Sequence, residues 1–208
     1  MNELIRALRG IIGDLVGVAD RWALVGGLAV SVRSEPRTTR DVDIAVAVPN
    51  DDAAEELVRS LLRRRYGVMA AVEQTATGRL STIRLEPPGA GAAGAVVDLL
   101  FASSGIEAEV CEGADRLEVI EGIVAPVASV GHLIAMKLLS RDDDARPQDV
   151  IDLRALVQVA SRVDLAVARS AVELIESRGC ARGRDLTAAL ADVQRRFGGS
   201  DEVSSEGE

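Results

Sequence analysis

Two aspartates spaced two apart, Asp41 and Asp43, lead directly into the apolar run Ile44-Ala45-Val46-Ala47-Val48. In an extended strand, residues i and i+2 share a face. Both carboxylates are therefore aimed at one point, while Val42 and Ile44 face the other way. Two carboxylates that close repel unless something positive lies between them, so the fold must supply a cation opposite this strand. Upstream, Ala23-Leu24-Val25 ends in Gly26-Gly27. The apolar segment Leu28 to Val32 follows, then a polar stretch holding Arg33, Arg37, Thr38, Thr39 and Arg40. Residues 23–46 thus read as strand, glycine turn, short helix, loop and strand.

The simplest cation for such a pair is Mg²⁺, which binds through one or two carboxylates together with phosphate oxygens. Glycines let backbone N–H groups approach a ligand with no side chain in the way, and a helix starting there offers its positive end to phosphate. A glycine pair alone is an ordinary turn, and a D-x-D alone is an ordinary solvated strand edge. In this order and spacing they form a set suited to a metal-bound nucleoside triphosphate (NTP). Gly26-Gly27 lacks the G-x-G-x-x-G spacing of a Rossmann dinucleotide site, which disfavours that fold.

The 208 residues suit one domain or a compact two-lobed unit. Aromatic residues make up only 2%, so the core must be aliphatic. The formal net charge of −9 argues against nonspecific nucleic-acid binding, which needs cations to meet phosphates. Part of that acidity is a tail effect, since Asp201 to Glu208 hold four acids and no base. Cys111 and Cys180 have no metal-ligand spacing, and the single histidine, His132, excludes a histidine-cluster metal site. No stretch reads as a signal peptide or membrane span, so the expectation is a soluble cytoplasmic protein with no membrane contact.

Apolar spacing predicts an amphipathic helix over 2–19, interrupted by Gly10, Gly13 and Gly17. Pro49-Asn50-Asp51-Asp52 reads as a turn and N-cap, with acids in the first turn, for a helix over 52–65. That helix ends in Arg59, Arg63, Arg64 and Arg65, which either answer its dipole or form an RNA-phosphate patch. Residues 68–73 and 79–85 read as a hairpin, 86–94 as a Pro/Gly/Ala loop, and 95–101 as a buried strand. That strand carries Asp98, and a carboxylate in an apolar run must be paired or metal-bound. Polar turns and short strands fill 103–128. A helix starts at Ser129 and carries His132, read as structural, and Lys137. Residues 142–149 form a charged turn, with Pro147 suited to the first turn of the next helix. Asp149 is either a capping residue or a polar partner in a site. Two further amphipathic helices cover 163–178 and 184–197. The Gly/Ser/acid-rich tail from Gly198 reads as disordered.

The pattern Gly26-Gly27…Arg37-x-Thr39-x-Asp41-x-Asp43 resembles the signature of the polymerase-β-type nucleotidyltransferase fold. More narrowly it resembles the AbiEii/AbiGii and MenT-type toxin nucleotidyltransferases. A second match supports this: Lys137 and Arg141 on one helix, then Arg146-Pro147-Gln148-Asp149-Val150-Ile151-Asp152-Leu153. Gln148 stands where the family often has lysine. The resemblance covers roughly 20–157.

It implies an α/β (α+β) fold, a small mixed sheet flanked by helices. A nucleotidyltransferase core over 1–128 would be completed by a helical C-terminal lobe over 129–197, with the acidic tail over 198–208. It implies an Mg²⁺-dependent enzyme that moves a nucleoside monophosphate from an NTP to an acceptor. Asp41, Asp43 and Asp98 would hold metal. Gly26, Gly27, Arg37, Thr39, Arg40, Lys137 and Asp149 would bind the nucleotide, with Lys137 also counted among the catalytic groups, and Asp152 would orient a basic side chain. It points to the tRNA 3′ end as acceptor, and to the toxin half of a toxin–antitoxin pair with a cognate antitoxin partner. The residues themselves leave open transfer to an aminoglycoside-like small molecule, transfer to a protein side chain, and a non-catalytic NTP-binding regulator.

Overall fold

A computed structural model describes residues 3–75, 77–90, 94–141 and 147–198. Helix α1 (Glu3–Leu15) buries Ala7, Leu8, Ile11 and Leu15, the stripe that its apolar spacing predicts. It ends short of the expected residue 19 because Gly17 turns the chain with φ +88°, a conformation that a residue with a Cβ resists. Next come β1 (Trp22–Val25), α2 (Gly26–Arg33) and β2 (Asp41–Val46), the strand–turn–helix–strand order read from the sequence. The Asn50 side chain caps α3 (Asp51–Arg63) by accepting the Ala53 N–H at 3.0 Å. Strands β3 (Gly67–Glu73) and β4 (Leu80–Glu86) form the predicted hairpin, and β5 (Val96–Leu100) is the predicted buried strand.

Helix α4 (Glu107–Glu112) replaces part of what the sequence suggested was only turns and strands. The chain leading into it is tied down by one carboxylate. The Ser104 N–H and hydroxyl both donate to the buried Glu107 carboxylate, at 2.7 and 2.8 Å. Strands β6 (Asp115–Ile120) and β7 (Ile123–Val127) follow, then α5 (Val130–Ser140), α6 (Pro147–Val159), α7 (Arg162–Ser177) and α8 (Leu186–Phe197). Ser129 caps α5, Pro147 opens α6, and Ser161 with Asp164 closes a capping box on α7. Of the charged turn predicted over 142–149, residues 147–149 are the first turn of α6, while 142–146, including Arg146, and the tail at 199–208 lie outside the described residues.

The seven strands form one mixed sheet in the order β3-β4-β5-β2-β1-β7-β6. The β2–β5 and β1–β7 pairs are parallel, the rest antiparallel. A single aliphatic core, including Leu24, Ile44, Leu99, Leu133, Leu156 and Ile175, runs from the sheet into the C-terminal helices. His132 belongs to that scaffold. It is buried, its Nδ1 lies 3.0 Å from the Ser129 hydroxyl, and burial lowers its pKa.

Helix α5 lies against α7 so closely that Gly131 has no room for a side chain. A Cβ there would overlap the Asp164 carbonyl oxygen and stand 2.7 Å from Val167 Cβ. Gly131→Ala should therefore push α5 off α7 and lower stability by roughly 1–3 kcal/mol. Urea unfolding would show the loss as a lower midpoint at unchanged slope.

Candidate active site

The sheet register assembles one row of residues from four strands. Val25 on β1 pairs with Asp43 on β2. Asp43 pairs in parallel with Asp98 on β5, and Asp98 pairs with Arg84 on β4. A buried carboxylate needs a partner, and for Asp98 that partner is the arginine. Arg84 Nε and Nη2 donate to its two oxygens at 2.9 and 2.6 Å, a bidentate fork. The same Nη2 lies 4.0 Å from Asp41 Oδ2. The guanidinium thus spans two of the three carboxylates.

Asp43 carries the cost of this crowding. Burial pushes its pKa up to about 6, and the neighbouring Asp98 and Asp41 charges add to the rise. Lys137 and a hydrogen bond from the Gly27 N–H oppose it. The sign for stability is definite. Without a metal, the folded chain keeps the Asp43 proton up to about pH 6, whereas the ordinary value is 3.8. Stability attributable to Asp43 therefore falls as pH rises between those values and stays lower above them. The loss is on the order of 2–3 kcal/mol. In EDTA, melting temperature measured against pH should fall across this window relative to Asp43→Asn. Added Mg²⁺ should restore it at neutral pH.

The glycine pair is required sterically. Gly26 takes φ +62°, and a Cβ there would fall inside the Asp43 carboxylate. At Gly27 a Cβ would stand 2.6 Å from Arg37 Nη2 and 2.8 Å from Thr39 Oγ1. The N-terminus of α2 thus packs directly on Asp43, Arg37 and Thr39. Ser31 ties the following loop down, donating from its hydroxyl to the Gly27 carbonyl at 3.0 Å and accepting the Arg37 N–H at 3.3 Å.

Helices α5 and α6 close the other side. Lys137 Nζ lies 2.7 Å from Asp149 Oδ1 and 2.7 Å from Asp152 Oδ2. Arg37 reaches Asp152 from the α2–β2 loop, with Nη2 donating at 2.9 Å and Nε 2.7 Å from Oδ1. Gln148 Nε2 also donates to Asp152, at 3.2 Å, and the Ser140 hydroxyl to Asp149 at 3.4 Å. Both aspartates are buried. Ion pairs to cations from two directions are what permit that burial.

These groups line a cavity of about 860 Å³, within the range of sites that hold cofactor-sized ligands. It brings together Gly26, Gly27, Arg37, Thr39, Asp41, Asp43, Asp98, Lys137 and Asp149. Arg40 is not among its lining residues and is exposed. The alternation that aims Asp41 and Asp43 inward sends position 40 the other way. Arg84, Ser103, Ser104 and Arg182 also line it, and none was singled out from the sequence. For Arg84 the only available signal was its place opposite Asp98 in neighbouring strands. Among the described residues, four acids (Asp41, Asp43, Asp98, Asp149) and four bases (Arg37, Arg84, Lys137, Arg182) balance in the lining.

Several arginines that could face a polyanion are engaged by acids within the chain. Arg33 pairs with Asp115 at 2.8 Å and also donates to the Val127 and Ala128 carbonyls. Arg59 and Arg63 pair with Glu55 and Glu56 on their own helix, and Arg64 pairs with Asp14. On α3, Arg59 and Arg63 meet acids a turn or two away.

The family model for the nucleotidyl transferase AbiEii toxin of type IV TA systems matches residues 6–201. The chain belongs to this family. It is a nucleotidyltransferase, and membership implies an NTP substrate and an antitoxin partner. No curated protein sequence matches the chain. Among solved structures it resembles an antigenic nucleotidyltransferase-like protein from Paracoccidioides brasiliensis, at 20% identity and TM-score 0.50, covering 91% of this chain and 92% of that one. That likeness supports the polymerase-β-type fold. Also similar are the antibiotic-resistance factor ANT(2'')-Ia (17% identity, TM-score 0.48, 93% and 99% covered) and the nucleotidyltransferase toxin MenT4 from Mycobacterium tuberculosis H37Rv (16% identity, TM-score 0.35, 93% and 95% covered). No helix among the described residues is long and apolar enough to cross a membrane.

Nucleotidyltransferases of this family's kind generally use a divalent metal. Asp41 and Asp43 fit one. They share a face of β2, and the pKa of Asp43 is raised first by burial and then by the neighbouring Asp98 and Asp41 charges, a cost that a bound cation would offset. Asp98 stands beside them but is engaged by Arg84. Among the described residues, no cluster of three or more His, Cys, Asp or Glu side chains is arranged to hold a metal.

Proposed function

We propose that the chain transfers a nucleoside monophosphate from an NTP to an acceptor hydroxyl, releasing pyrophosphate. The observation that carries this reading is convergence in one cavity. The Asp41–Asp43 pair, the glycine-led N-terminus of α2, and Lys137 all face the same space. Asp41 and Asp43 hold Mg²⁺. When bound, that ion supplies charge neutralisation on the triphosphate and in-line alignment at the α-phosphorus. Gly26 and Gly27 keep side chains away from the phosphates, and the α2 N-terminus offers its positive end to them. Lys137, with Arg37 and Thr39, binds the nucleotide. Asp149 and Asp152 hold Lys137 and Arg37 in position, and Asp98 borders the acceptor side.

The acceptor is the tRNA 3′ end, as the toxin family resemblance implies, and the consequence is arrested aminoacylation that an antitoxin relieves. A second reading, a protein or small-molecule acceptor, has its own support. Arg33, Arg59, Arg63 and Arg64 already face acids within the chain, and the described cavity lining is balanced in charge. One assay separates the two. The protein is incubated with Mg²⁺ and each α-³²P-labelled NTP in turn. The acceptors are total bacterial tRNA, cell protein or an aminoglycoside, with an Asp41→Ala/Asp43→Ala control. Label on tRNA that vanishes in the control supports the first reading. Label on protein or antibiotic alone selects the second. Absence of label and of pyrophosphate with every acceptor would sink the transfer reading.

A further inference from the structure

We propose that Arg84 is a resident counter-cation of this site. In the free protein it masks Asp98 from divalent metal, and it leaves Asp98 for the triphosphate oxygens when metal and nucleotide arrive together. The inference rests on the nucleotidyl-transfer reading above and deepens it.

The geometry is specific. Arg84 forms both bonds of a guanidinium–carboxylate fork with Asp98, at 2.9 and 2.6 Å, and approaches Asp41 to 4.0 Å. Asp98 pairs in register with Asp43, so it is the carboxylate best placed to join Asp41 and Asp43 around one cation. Arg84 and a metal ion therefore compete for the same two oxygens. The pair is also asymmetric. The Asp98 side chain is 10% exposed and fixed in the centre of the sheet, whereas that of Arg84 is 45% exposed, on β4 near the sheet edge. The mobile member is the arginine, and its long stem lets the head group swing into the cavity that both residues line.

Charge balance gives the direction of the swing. Asp41, Asp43, Asp98 and Arg84 together carry two net negative charges. One divalent ion on the three carboxylates neutralises that excess but takes Asp98 from Arg84. The freed guanidinium then needs an anion, and its planar fork suits a phosphate. The incoming triphosphate is the anion available. Lys137 is not free for the same role without cost, because it already bridges buried Asp149 and Asp152. Nucleotide thus favours metal binding, and metal favours nucleotide, through one side chain.

The test is Mn²⁺ binding by electron paramagnetic resonance to the full chain and to Arg84→Gln, Asp98→Asn and the double variant. Masking predicts that Arg84→Gln tightens Mn²⁺ about tenfold, the worth of one charge-assisted contact. It predicts that Asp98→Asn alone changes the affinity less than about twofold, and that the double variant loses the gain. If the gain survives Asp98→Asn, Arg84 acts only as a distant charge and the masking is wrong. No gain in Arg84→Gln also overturns it. Tripolyphosphate with saturating Mn²⁺ then probes the second half: Arg84→Gln should bind it several-fold more weakly than the natural chain, opposite in sign to the metal effect. Equal binding would refute the transfer to phosphate. Should Arg84→Gln fail to fold, Arg84→Lys, which keeps the charge but not the fork, should still tighten Mn²⁺ measurably, and an unchanged affinity overturns masking. If the natural chain binds no Mn²⁺ at millimolar concentration, the metal-dependent reading falls along with Arg84's role. That outcome is distinct from normal binding with no coupling between the two positions.

Discussion

Asp43→Asn should lower nucleotidyl transfer by roughly a thousandfold or more, and should make the metal-free protein more stable at neutral pH. The two effects have one cause. Asp43 is buried beside Asp98 and Asp41, and its pKa of about 6 measures how unfavourable its charge is in the folded chain. Asparagine keeps the shape and removes the charge, so the repulsion disappears. It also removes one of the two carboxylates that share a face of β2, and with it the anchor for Mg²⁺. A site selected for stability alone would not keep Asp98 in register with Asp43 and Asp41 two residues along the same face. Opposed shifts in activity and melting temperature are the signature of a site strained for function. Radiolabel transfer from NTP and calorimetric melting in EDTA check both. A variant that is less stable and inactive would mean that Asp43 is structural. One that remains active would remove the carboxylate pair from the chemistry.

Lys137→Met should be the most destabilising single change in the site, at roughly 3–5 kcal/mol. Lysine and methionine have similar length, so little packing is lost. What is lost is the cation shared by two buried carboxylates. Asp152 retains Arg37 and Gln148, whereas Asp149 retains only the 3.4 Å contact from Ser140 among its hydrogen bonds to described residues. Most of the penalty should therefore arise at Asp149, whose buried charge then keeps no ion pair to a described residue. Adding Asp149→Asn should recover much of the stability, and the cycle isolates the pair's coupling. Transfer activity should not return, because the proposed phosphate contact is still missing. Denaturant unfolding of the four proteins, with transfer measured on each, separates the structural share of Lys137 from its share in the reaction. Full recovery of activity in the double variant would assign Lys137 to scaffolding alone.

Several parts of this were legible in the sequence because they depend on neighbours along the chain. The Gly26-Gly27 turn, the alternation through Asp41-Val42-Asp43, the Asn50 and Ser129 caps and the hairpin over β3 and β4 all follow from local periodicity and capping chemistry. So does the inward aim of the two aspartates. Helix α4 was missed because six residues are too few to show a period.

The pairings that make the site were decided only by the tertiary structure. Asp98 lies opposite Asp43 because β5 runs parallel to β2, and Arg84 reaches Asp98 because β4 lies beyond β5. Strand order is a property of the whole sheet and leaves no mark in any one strand's pattern. Arg37 and Asp152 meet across 115 positions of chain. That contact makes Asp152 an anchor for two cations and Asp149 the close partner of Lys137. The Arg64–Asp14 pair, between the end of α3 and α1, likewise shows only in the folded chain. What a charged side chain is free to bind depends on which opposite charge the fold has already brought to it. That is set by burial and distance in space, while the sequence by itself determines only which charges are present and which face of its element each one takes.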